Sequence, residues 1–147
     1  MTYTLAVLIT TCVPISIIDC RKYIVPDILV VLLFVLMVTH DLLFNRTHIP
    51  FAVLATLASF CLFFCIYRMY GGLGFGDVKL SVALGYSLGF PLEFVAFSCA
   101  SILAIVYAVA FLRNKSRSFR ISFAPFLSAG AVLMVLVDNA KTVSLGY

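Results

Sequence analysis

Charge is what this sequence has least of. Of 147 residues only 11% are Asp, Glu, Lys or Arg, while 64% are hydrophobic, and the mean hydropathy is +1.18. A soluble domain carries about 25% charged and about 45–50% apolar residues, so the composition excludes a soluble globular protein and makes lipid the main solvent. A membrane helix takes ~20 mostly apolar residues, so the length accommodates at most about six spans with short connections. No stretch is left for a separate soluble domain, and residues 1–147 read as one membrane-embedded domain. The cysteines are few and unpaired in pattern. Cys12, Cys20, Cys61, Cys65 and Cys99 are odd in number, lie mostly inside apolar runs and form no C-x-x-C. That excludes a disulfide framework or a zinc site and leaves them as small packing residues. The stretch Met1 to Ile18 lacks a basic n-region and an A-x-A-like cleavage site, so it is expected to be a retained span. No internal repeat and no low-complexity tract is present.

Apolar runs separated by polar, glycine or proline residues predict six helices: Tyr3 to Ile18, Ile28 to Phe44, Ile49 to Tyr67, Asp77 to Phe90, Pro91 to Leu112 and Phe119 to Val137. The expected fold class is therefore all-α, a polytopic membrane protein. The fourth segment is short, since 14 residues rise only about 21 Å against a ~30 Å hydrocarbon core, and it reads as a half-buried helix that begins inside the protein. Pro91 ends it, because proline has no N–H and disfavours a helical residue before it.

The formal charge of +4 does not point to nucleic acid, because the basic residues are dispersed among the connections between helices. With six spans the connections alternate in side. One side takes Arg21, Lys22, Arg68, Lys79, Arg113, Lys115, Arg117 and Arg120, and the other takes Arg46 and Lys141. This bias of eight against two places the first group in the cytoplasm and both termini outside. His40, Asp41 and His48 then fall in an outer connection, where both histidines are expected to be solvated.

Only six acids are present. Asp41, Glu93 and Asp138 lie at segment ends where water or headgroups are expected to serve them. Asp19 and Asp77 differ: each stands at the cytoplasmic boundary of a long apolar helix, one ending segment one and the other opening segment four. An ionisable group at membrane depth is costly and marks function by default. Two carboxylates at one depth can share a proton, one rising and the other falling in pKa, so that one acts as base and the other as acid. The structural alternative pairs Asp19 with Arg21 or Lys22 and makes Asp77 a helix cap.

Gly71-Gly72-Leu73-Gly74-Phe75-Gly76-Asp77-Val78-Lys79 places four glycines in the six residues before Asp77. Such a run lets backbone approach a ligand closely. The Walker pattern is absent and no strand precedes the loop, which excludes nucleotide cradling. Gly74-Phe75-Gly76-Asp77 is a G-x-G-D motif, and the chain resembles the type IV prepilin peptidases, membrane aspartyl proteases of bacteria. Asp19-Cys20-Arg21-Lys22-Tyr23-Ile24-Val25-Pro26-Asp27 is similar to the first half of their signature, and Phe123-Ala124-Pro125-Phe126-Leu127 with Gly130 is similar to the stretch opening their last helix.

The resemblance implies that Asp19 and Asp77 are the catalytic pair, without cofactor or metal. It implies removal of the basic leader from prepilin or pseudopilin substrates at the cytoplasmic face of the bacterial inner membrane. Gly74, Gly76, Lys79 and Pro125 are then expected to contact substrate, Lys79 either holding Asp77 ionised or snorkelling to the surface. Asp27 reads as a cap of segment two. Longer members carry an additional cytoplasmic domain, often with zinc-binding cysteines, and methylate the new N-terminus; this sequence resembles a short, peptidase-only form. The competing reading from residues alone is a small transporter or proton relay using the same two aspartates.

Overall fold

A computed structural model describes residues 2–70, 73–112 and 122–144. Among the described residues the structure is wholly helical: α1 Thr2–Lys22, α2 Asp27–Phe44, α3 Ile49–Tyr70, α4 Phe75–Leu88, α5 Leu92–Leu112 and α6 Ala124–Ser144. The sixth helix starts later than its hydropathy predicts, at Ala124, where the Phe123 carbonyl accepts the first N–H bonds, from Phe126 and Leu127. The expected start at Phe119 and the cluster Arg113, Lys115, Arg117 and Arg120 lie outside the described residues.

Four helices are long and apolar enough to cross a bilayer, over Tyr3–Lys22, Asp27–Phe44, Ile49–Met69 and Leu92–Ala110, and Ala124–Ala140 is a shorter apolar helix. The protein is a multi-pass membrane protein. The remaining helix, α4, has 14 residues and is the most enclosed of the six, with Val78, Leu80, Ser81, Ala83, Leu84 and Gly85 all buried. Helices α2, α3, α5 and α6 pack on α4, α1 packs on α2 and α6, and α5 packs on α6. Leu8, Ile15, Leu33, Leu80, Leu84 and Leu127 are the largest fully buried apolar side chains, and they knit α1, α2, α4 and α6 into one core. The exposed residues of α2, α3 and α5 are instead large and apolar, such as Val31, Leu57 and Ile105, as a lipid-facing surface requires.

Chain reversals fix the two ends. α1 stops where Tyr23 adopts φ +53 and returns its N–H to the Asp19 carbonyl at 2.8 Å. Pro26 then stands at the N-cap of α2 in extended conformation, so its missing donor is lost at a position that has no helical acceptor. At the opposite end α4 closes with Gly89 at φ +70, whose N–H bonds the Gly85 carbonyl at 2.9 Å. A side chain there would collide with the His48 ring, so glycine is required by both conformation and space.

This far end corrects two expectations. His40 and His48 are half-buried, not solvated, and both rings approach the buried Asp41 carboxylate, His48 Nδ1 at 2.7 Å and His40 Nδ1 at 3.3 Å. Tyr3 stacks on the His40 ring at 4.4 Å, so the cluster ties α1 to the α2–α3 turn. Glu93 is also not at water: it is 1% exposed, accepts a 2.6 Å hydrogen bond from the Ser59 hydroxyl on Oε2, and its Oε1 has no partner within the described residues. A helix-terminal position predicted access to headgroups, but α3 and α4 cover it.

Candidate functional site

At the other end of the bundle, Asp19 comes from the last turn of α1 and Asp77 from the first turn of α4. Asp77 is held in place by its own N–H, which donates to the Gly74 carbonyl at 3.0 Å. The start of α4 lies flat against the α1–α2 linker: a Cβ on Gly76 would come within 2.9 Å of Val25 Cβ. Only glycine permits this approach, and the approach is what delivers Asp77 to the segment that begins at Asp19. Both side chains are buried, Asp19 5% and Asp77 8% exposed, and both line one cleft of about 230 Å³.

The two carboxylates are not equally served. Asp19 Oδ2 accepts a short hydrogen bond from the Ser122 hydroxyl, just ahead of α6. Asp77 Oδ1 is buried with no hydrogen-bond partner within the described residues. Among the described residues Asp19 makes no ion pair with Arg21 or Lys22, and no side-chain hydrogen bond caps α4, so neither structural alternative for the pair is realised.

The other residues singled out from sequence divide. Gly74 and Gly76 line the cleft, but they act differently: Gly76 faces Val25 of the same chain, while a Cβ on Gly74 would reach Asp77 Oδ2 at 3.4 Å, ordinary contact, on the cleft side. Lys79 lines the cleft yet spends its charge on Asp27, donating to Oδ1 at 2.9 Å and Oδ2 at 2.8 Å, with its ammonium 5.2 Å from the centre of the Phe75 ring. Asp27 therefore serves as the counter-ion of Lys79 and makes no capping bond at the start of α2. Pro125 sits in the first turn of α6 and does not line the cleft; its neighbour Ser122 is the residue of that stretch that reaches Asp19.

Ser122 carries no signal in the sequence, because its partner is 103 residues away. The Asp27–Lys79 pair, 52 residues apart, is equally silent. Among the described residues no group of three His, Cys, Asp or Glu side chains is arranged to hold a metal ion.

A cleft with two buried carboxylates, one of them braced by a hydroxyl, is suited to general acid–base work on a neutral substrate. Comparison with known proteins agrees in kind. The model of the type IV leader peptidase family matches residues 6–109. The chain is 28% identical over 149 residues to a prepilin leader peptidase/N-methyltransferase of Aeromonas salmonicida (strain A449), covering 95% of this chain and 51% of that protein. A protein of the same name from Aeromonas hydrophila is likewise 28% identical, with the same coverage. The chain thus spans about half the length of these curated relatives. No solved structure matches significantly.

Proposed function

We propose that the chain, which belongs to the type IV leader peptidase family, is a membrane aspartyl endopeptidase that cuts the leader from type IV prepilin-like proteins. The observation that carries the reading is the pairing of Asp19 and Asp77, 58 positions apart in numbering, as buried carboxylates of one cleft. Asp19 and Asp77 are its catalytic residues. Gly74, Gly76 and Lys79 shape the cleft where the peptide lies, and Pro125 directs the chain from Ser122 into α6.

Two carboxylates that share a site do not both ionise readily, so the pair works with one proton between them. The ionised carboxylate takes a proton from water as the water oxygen bonds to the scissile carbonyl carbon. The protonated carboxyl gives its proton to the carbonyl oxygen. In the collapse of this diol one hydroxyl returns its proton to the ionised carboxylate as the carbonyl re-forms, the C–N bond breaks, and the leaving nitrogen receives the proton abstracted from water. The pair ends with one proton, as it began. Ser122 positions Asp19 by occupying Oδ2.

The eight-to-two distribution of basic residues supports a cytoplasmic location for this end, in a bacterial inner membrane. A transporter or proton relay is disfavoured by the same geometry, because a relay spaces its carboxylates along a path and here both line one cleft at one end. Co-expression with candidate prepilins, with the substrate's N-terminus read by mass spectrometry, tests the reading. Leader loss with wild type and not with Asp77→Asn supports it, and the same spectrum reports whether a methyl group is added. An intact leader across several prepilins, with the enzyme confirmed in the membrane, returns the weight to transport.

A further inference from the structure

Beside the cleft lies a second and larger concavity that the chemistry above does not use. α2 and α3 are consecutive and joined by a short turn, yet both pack on α4 and scarcely on each other. Between them is a groove of about 420 Å³, floored by Val78, Val82 and Ala83 of α4 and walled by Val31 of α2 and Phe60 of α3. Its sides are apolar and open to the surrounding lipid, with Val31 59% and Phe60 43% exposed. From Asp27 to Phe34, which also lines it, the groove follows α2 for seven residues, about 10 Å or two helical turns. The Phe34 ring packs in a T-shaped arrangement with Tyr86, ring centres 5.1 Å apart.

The mouth of the groove is the informative part. Asp27, Phe75 and Lys79 line both the groove and the cleft that holds Asp19 and Asp77. The groove on the apolar flank of the bundle and the cleft with the two buried carboxylates are therefore neighbours, divided by Phe75 and the Asp27–Lys79 ion pair. A polypeptide whose cleavable bond directly precedes a membrane helix needs both parts at once: an apolar slot for its first helical turns and a polar cleft for the bond. The valine and alanine floor fits that guest, since small side chains let helix backbones approach closely in a bilayer.

We propose that the groove between α2 and α3 receives the first two turns of the substrate's apolar membrane helix, which enters sideways from the lipid, with Val31, Phe60 and Val82 as the docking surface. The inference rests on the peptidase reading and extends it to how substrate is held. The test uses the full chain carrying Asp77→Asn, co-expressed with an epitope-tagged prepilin, with the photoreactive residue p-benzoylphenylalanine placed at the position of Val31, of Phe60 or, as a control on the lipid-facing side of α5, of Ile105. Adducts with the prepilin at the first two positions and not the third are expected. In otherwise wild-type protein, Val31→Trp slows leader removal roughly tenfold by filling the slot, as a misfit of this size in an apolar pocket does, and Ile105→Trp does not. If wild type cuts the prepilin but the groove positions give no adduct, or no more than Ile105, the groove is not the docking surface and the peptidase reading stands. If wild type leaves the prepilin uncut, the peptidase reading fails and this inference fails with it.

Discussion

Among the described residues one buried carboxylate oxygen of Asp77 has no hydrogen-bond partner, and the same cleft is lined by a second acid, Asp19. A residue selected for packing alone would be Asn or Leu there, so the substitution that separates charge from shape is Asp→Asn. Asp19→Asn and Asp77→Asn are each expected to cut leader removal by roughly 10³-fold or more, the range that general acid–base groups supply, while the protein still inserts at normal abundance. Immunoblots of membrane fractions beside the cleavage assay check both halves. Ser122→Ala should slow turnover roughly tenfold, the usual worth of a hydrogen bond to a charged group, and Ser122→Thr should restore it, since the hydroxyl returns. Asp19 and Asp77 were marked as candidates in the sequence because so few acids compete with them and both stand against apolar helices, and the structure lines one cleft with both. Ser122, Glu93 and the Asp27–Lys79 pair were not, because each is defined by a partner 34 to 103 residues away.

The short helix α4 depends on glycine at its contacts more than on its own apolar residues. Gly76 admits Val25 at its start, and Gly85 admits the Ser59 hydroxyl and Glu93, whose Oε2 would lie 2.7 Å from an added Cβ. Gly76→Ala is therefore expected to push α4 off the α1–α2 linker, costing about 1–3 kcal/mol and most of the activity together, read by thermal unfolding in detergent alongside cleavage. Gly85→Ala should cost at least as much stability, because the displaced Glu93 would lose its one hydrogen bond in a buried place. Between α5 and α6, Gly130 lies against Ala96 and Ala100, with Ala100 Cβ 3.2 Å from where its own Cβ would stand. Gly130→Val should loosen that pair without touching the cleft, lowering stability more than kcat. Helix number and order were readable from hydropathy, and the 14-residue length of α4 already marked it as something other than a full span. Its enclosure was not readable, since enclosure depends on which helices surround it.

The molecule has two polar ends with different work. One gathers Asp19, Asp77, Ser122, Asp27 and Lys79, and the other gathers Asp41, His40 and His48, where each imidazole finds the same buried carboxylate. The sequence separated the two ends correctly by alternation of apolar segments, but treated the far one as a wet loop. With Asp41 in the last turn of α2, seven residues before His48, the turn to α3 can fold back onto the helix end, and here it does. Asp41→Asn should therefore lower the melting temperature and leave the cleavage rate of the surviving folded protein unchanged. Orientation is testable on the same framework: a cysteine introduced as Asn45→Cys, in the turn between α2 and α3, should react with a membrane-impermeant maleimide added outside intact cells. Labelling of Asn45→Cys only after the membrane is opened would reverse the assignment of sides.

The most direct measurement is cleavage by purified protein in liposomes, with a full-length prepilin as the only other protein and intact mass as the readout. Wild type should release the leader as one fragment, unaffected by chelator, while Asp19→Asn and Asp77→Asn, reconstituted in equal amount, leave the prepilin whole. Cleavage that persists in either variant, or stops only on adding chelator, would contradict a site built from these two carboxylates.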